Sequence, residues 1–275
     1  LTRTYKLHVP RQYDRREQAP VVLYIHGGGG NARSAYLDKM DKSSDKFGFI
    51  LAIPEATGEI KFGELRGAWN GGAWESGECC GSADDVGFIS KMIDEIKGKF
   101  NVDERRIYAT GISNGGLMTN RLGCELSDKI AAIATVAPAA IPSGCKPQRP
   151  LPVMDIHGTA DTCNPFYRGE PLNAICRKVD YKRMPPEQVV GRWLDINRCV
   201  KEPAVSVLNS KVTYSTYTQC KPDSEVVFVK VEDMGHAWPG GFESKLLGVS
   251  PVSYAISFDQ IWEFFRKHSL ETKTP

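Results

Sequence analysis

The sequence predicts an α/β protein with a mostly parallel central sheet and helices on both faces. Two observations carry this. Six short apolar runs do not alternate and end on turn residues, as strands buried on both faces do. Stretches with apolar residues at helical spacing lie between them, the order of elements that builds a covered parallel sheet. The runs are 21–25 (VVLYI), 49–53 (FILAI), 106–110 (RIYAT), 131–137 (AAIATVA), 152–156 (PVMDI) and 226–231 (VVFVKV). The segment 4–9 (TYKLHV) reads as an antiparallel edge strand ahead of the first run.

The helices follow in the same order. Over 84–100, Val86, Ile89, Ile93, Ile96 and Phe100 recur every three to four residues. The stretch 115–126 follows the third run, and 186–196 and 254–265 (YAISFDQIWEFF) complete the set. No repeat, low-complexity tract or linker divides the chain, so 1–275 is expected to form one domain.

Composition narrows the function classes. With 35 Lys and Arg against 33 Asp and Glu, the net charge is +2. That surplus offers no electrostatic case for nucleic acid. No apolar run reaches the ~18 residues of a membrane helix, and the longest, 130–141, is broken by Thr135 and Pro138; no membrane partner is expected. The chain begins at Leu1 without a charged and then apolar leader, consistent with removal of a signal peptide or with trimming. The 8 cysteines are scattered and none lies in a CxxC, a usage that points to disulfides and to a secreted or periplasmic protein rather than to buried cytosolic thiols. Cys199 with Cys220, closing a loop before the last strand, and Cys124 with Cys145 are the expected pairs. No cysteine pair has zinc-finger spacing, and no metal or cofactor is expected.

The chemistry centres on Gly111-Ile112-Ser113-Asn114-Gly115, a G-x-S-x-G between a strand and a helix. Such an elbow holds a serine hydroxyl out at a helix N-terminus, where developing negative charge is favoured. Outside that context Ser113 would be a simple helix cap. A serine nucleophile needs a base, and the base an orienting acid, here in the order Ser, acid, His. Asp161, in HGTAD after the fifth run, and His236, in GHAWPG after the sixth, stand at carboxyl ends of strands, where open α/β sheets build their sites. Asp233 is the alternative acid. His26 and His157 read as residues that shape their loops, Asp155 as a core polar contact, and His8 and His268 as surface residues. The oxyanion donors expected are the backbone N–H of Asn114 and, from the glycine run 27–30, that of Gly28. The run lacks the spacing of a phosphate-binding loop.

Five motifs in order, HGGGG, ADDVGF, GISNGG, HGTAD and GHAWPG, resemble the polyhydroxybutyrate-depolymerase-like and feruloyl-esterase branch of the α/β-hydrolases. The resemblance runs from about Tyr5 to Phe265. It implies the α/β-hydrolase fold and a secreted serine esterase with Ser113, Asp161 and His236 as its triad; the chain is expected to act as a monomer. The implied substrate is a feruloyl or related hydroxycinnamoyl ester on plant cell-wall polysaccharide, with acetylated xylan and polyhydroxyalkanoates as alternatives. Many relatives carry Ala or Gln where this chain has Asn114, a difference expected to be silent because only the backbone N–H acts there.

Four aromatic residues are candidate substrate contacts. Trp69 and Trp74 stack on substrate or else cover the core. Trp238 lines the acyl pocket or else locks the histidine loop. Phe166 follows the acid. Asp84 and Asp85, at a helix start, read as an N-cap and a first-turn acid rather than as catalytic carboxylates. Cys79 and Cys80 are expected to pin their loop through bridges to other segments. A serine peptidase and a non-catalytic polymer-binding protein are the rival readings.

Overall fold

The computed structural model describes residues 2–59, 66–74, 77–167, 170–177, 183–242 and 251–271. In chain order the elements are β1 (Tyr5–His8), β2 (Ala19–Ile25), α1 (Arg33–Leu37), α2 (Met40–Phe47) and β3 (Ile50–Pro54). Four short strands follow, β4 (Gly58–Glu59), β5 (Arg66–Ala68), β6 (Gly72–Trp74) and β7 (Gly77–Cys79). Next come α3 (Asp85–Lys99), β8 (Val102–Ile112), α4 (Asn114–Glu125), β9 (Ala132–Val136), β10 (Val153–Gly158), α5 (Ala174–Arg177) and α6 (Pro186–Asn197). The chain closes with β11 (Ala204–Asn209), β12 (Val212–Tyr217), β13 (Val226–Val231), a 3-10 turn at Pro251–Ala255 and α7 (Phe258–Phe265).

Among the described residues nine strands form one sheet in the order β1-β3-β2-β8-β9-β10-β13-β12-β11. The six from β3 to β13 run parallel. β1, β12 and β11 are antiparallel additions at the two edges. Successive side chains of β2 explain its unbroken apolar run. Val21, Leu23 and Ile25 enter the core shared with α3, α4 and α6, while Val22 and Tyr24 enter the opposite core with Met40 of α2 and Phe258, Ile261 and Phe265 of α7. Tyr108 of β8 stacks flat on Phe265, with centroids 4.7 Å apart.

Besides the short strands β4–β7 and the short helix α5, which no apolar run marks, three details differ from the sequence expectation. The β11–β12 hairpin extends the sheet at the edge beyond β13, with every residue of β11 exposed and Val212 of β12 buried in the core. The short helices α1 and α2 were also missed. The last helix begins at Phe258 rather than at residue 254, because Ser257 is extended and closes a capping box with Gln260.

Disulfides join Cys124 at the end of α4 to Cys145, Cys199 after α6 to Cys220 beyond β12, and Cys163 to Cys176. The last pair was not foreseen. Cys80 is also disulfide-bonded, while the side chain of Cys79 lies outside the described residues. Among the described residues no helix is long and apolar enough to cross a membrane, and no three His, Cys, Asp or Glu side chains are grouped to hold a metal ion.

Candidate active site

Ser113 stands between β8 and α4 with φ +59° and ψ −122°. A non-glycine residue persists in such a region only where its surroundings impose it. Here the Ser113 N–H donates to Val136 O at 2.9 Å, and the Ser113 carbonyl accepts the Leu117 N–H at 2.9 Å. The flanking glycines contribute room. A Cβ on Gly111 would sit 2.6 Å from both Gly115 O and Ile25 O, and one on Gly115 would sit 2.2 Å from Ile25 O. The strained dihedral therefore falls on the serine itself, and the glycines let β2, β8 and α4 converge beneath it.

Asp161 follows β10 and His236 follows β13, the adjacent strand. Gly158 lets the two loops touch, since a Cβ there would lie 2.0 Å from Met234 O. The Asp161 side chain is fully buried and fully engaged. Its Oδ2 lies 2.8 Å from His236 Nδ1, and its Oδ1 accepts the N–H groups of Cys163 at 2.7 Å and Asn164 at 2.8 Å. Burial opposes ionisation, yet the charge and hydrogen bond of His236, with His157 and the Asn164 amide, hold this carboxyl below its ordinary range. Asp233, the alternative acid, instead pairs with Lys211 at the surface. The His236 side chain keeps 18% of its area exposed, so the imidazole can be reached from solvent.

The glycine loop lies beside the serine: a Cβ on Gly27 would sit 3.6 Å from Ser113 Cβ. Gly29 N–H already donates to Gly67 O and Gly30 N–H to Gly27 O. Gly28 is exposed, and its N–H finds no acceptor among the described residues. His26 braces the loop from inside. Its Nδ1 lies 2.8 Å from Gly27 O, its Nε2 accepts the Ala56 N–H at 3.3 Å, and burial lowers its pKa. His157 is likewise buried, with Nε2 2.8 Å from Asn164 O.

The aromatic candidates fare unevenly. Trp69 is corrected: it is fully buried, its indole N–H donates to His26 O at 2.9 Å, and it has no free face for a substrate. Phe166 is also buried, packed on His157 and Phe228 beneath the acid loop, so it too is corrected to a packing role. Of the two readings of Trp238, the locking one fits, because its buried ring packs edge-on against Tyr24 at 5.1 Å. The side chain of Trp74 lies outside the described residues. Among the described residues of the acid and histidine loops, Tyr167 and Phe242 carry exposed rings, and neither is among the candidates read from the sequence. Asn114 holds a further surprise: its side-chain amide accepts the Trp69 N–H at 2.8 Å and donates to Trp69 O at 3.0 Å. Its side chain is therefore not silent. Asp84 caps α3 by accepting the Gly87 N–H at 2.8 Å, and Asp85 is buried in an ion pair with Arg3.

No family model matches the chain. Feruloyl esterase B of Piromyces equi is 35% identical over 179 residues, covering 61% of this chain and 31% of that protein. This chain thus spans under a third of that relative's length. Feruloyl esterase C of Emericella nidulans is 28% identical over 268 residues, 96% of this chain and 83% of the other. Among solved structures, an acetyl xylan esterase from Aspergillus awamori superposes with a TM-score of 0.63 at 15% identity, covering 95% of this chain and 93% of its own. At that identity the likeness speaks for the fold.

Proposed function

We propose that this chain, an esterase of the α/β-hydrolase fold related to the feruloyl esterases, hydrolyses hydroxycinnamoyl esters of plant cell-wall polysaccharide outside the cell. The observation that carries the mechanism is the 2.8 Å contact of His236 Nδ1 with a buried, ionised Asp161, at the same sheet edge as the strained Ser113. Ser113 Oγ attacks the ester carbonyl while His236 Nε2 takes its proton. Asp161 keeps the imidazole proton on Nδ1 and stabilises the imidazolium. The N–H groups of Gly28 and Asn114 receive the oxyanion, each worth about 2.7–4 kcal/mol in the transition state. As the tetrahedral intermediate collapses, the imidazolium gives its proton to the departing sugar oxygen, which leaves as the free hydroxyl. Water, deprotonated by His236, releases the acid and restores Ser113.

The named relatives support the acyl assignment, and the disulfides support an oxidising compartment. The test is a hydrolysis panel of methyl ferulate, acetylated xylan, a polyhydroxybutyrate oligomer and a peptide amide, run with wild type and Ser113→Ala. Methyl ferulate should be the preferred substrate, and the variant should lose activity by roughly 10⁴-fold or more while remaining folded. Preference for acetylated xylan would move the assignment to an acetyl esterase. Retained turnover in the variant would remove Ser113 from its role.

A further inference from the structure

We propose that Asp38 is a positioning residue for His236, its carboxylate tying the histidine loop to the segment that descends from the glycine loop. The proposal rests on the esterase reading above. It links two parts of the site that the sequence places about 200 residues apart, the loop of oxyanion donors and the loop of the base.

Asp38 is the C-cap residue of α1, the helix that follows the glycine run. Its Oδ2 accepts the phenol O–H of Tyr24, a buried residue of β2 whose ring packs against Trp238. The backbone N–H of Phe242 donates to the same carboxyl. Gly241 passes so close that a Cβ there would sit 2.5 Å from Asp38 Oδ1 and 2.9 Å from Trp238 Cβ. Beside it, Lys39 Nζ donates to Gly240 O at 3.0 Å. The histidine loop is thus fastened at His236 by Asp161 and at residues 240–242 by Asp38 and Lys39, with Trp238 buried between.

The groups facing the Asp38 carboxyl are the Tyr24 phenol from β2, the Lys39 ammonium from its own linker, and the Phe242 N–H from the histidine loop. Burial pushes this carboxyl up to about 6, so the tether weakens as pH falls through that value. Removing the acceptor leaves the buried Tyr24 phenol and the Phe242 amide without this partner and frees residues 240–242 to shift. Displacement of a catalytic group by about 1 Å can cost about 10²-fold in rate.

The test compares Asp38→Ala with Asp38→Asn, which keeps an oxygen to accept the Phe242 N–H. At pH 8, Asp38→Ala should lower kcat for p-nitrophenyl acetate about tenfold or more, with KM within about twofold, and Asp38→Asn should recover most of it. Below pH 6, kcat of wild type should fall more steeply than that of Asp38→Asn, by one proton. The low-field proton resonance of His236 Nδ1–H should broaden or shift in the alanine variant and return in the asparagine variant. That resonance does not depend on turnover. A wild type without esterase activity would therefore sink the proposed function, while the resonance would still decide the positioning role. An alanine variant with wild-type kcat, a proportional change in kcat and KM, or an unperturbed resonance would each overturn the proposal. Should Asp38→Ala fail to fold, Tyr24→Phe takes its place: the same pattern at about threefold is expected, and unchanged kcat and resonance would be fatal.

Discussion

Replacing Asp155 by asparagine should stabilise this protein at neutral pH and do little near pH 4. Asp155 lies within β10, fully buried, with Oδ2 accepting the Thr135 hydroxyl at 2.7 Å and Oδ1 without any partner. Among the described residues no cation faces it, and burial raises its carboxyl from the ordinary 3.8 to about 7. The folded state therefore holds a proton that the unfolded chain releases near pH 4, and wild-type stability falls as pH rises from about 4 to about 7. A shift of roughly three units at 1.36 kcal/mol each sets a ceiling of about 4 kcal/mol, and screening and local relaxation bring the expected gain nearer 2 kcal/mol. Asparagine keeps an oxygen for the Thr135 hydroxyl and has nothing to titrate. Urea unfolding of both proteins at pH 4, 5.5, 7 and 8.5 should show a difference that grows to pH 7 and then levels. A difference flat with pH, or an asparagine variant less stable at pH 8.5 than at pH 4 relative to wild type, would refute the argument.

Other perturbations follow from single contacts. Asn114→Ala should cost about 2–4 kcal/mol in urea unfolding, because it strands the buried N–H and C=O of Trp69. The double variant Cys163→Ser, Cys176→Ser opens a loop of 13 residues' separation and should lose about 3 kcal/mol. It should also lower kcat for p-nitrophenyl acetate more than the Cys199→Ser, Cys220→Ser pair does, since the Cys163 N–H holds Asp161. Ser257→Ala removes the cap of α7 and should lower stability by about 1 kcal/mol, read as a drop of about 2–4 °C in Tm.

The central strands and the order of motifs at their carboxyl ends are legible in the residue pattern alone. A strand buried on both faces must be apolar throughout, as 21–25 is, and an elbow needs its glycines and its serine within five neighbouring residues. These are local demands, written where they act. Folding settles what depends on which segments meet. It set Asp161 against His236 and left Asp233, three residues from that histidine, paired with Lys211. It buried Trp69, gave the side chain of Asn114 a backbone to hold, and drew Asp38 to a loop 200 residues away. It also docked the β11–β12 hairpin on β13, leaving Val205 and Val207 of β11 exposed. A side chain's partners across the fold are set by strand order and loop path, and neither leaves a periodic trace in the chain.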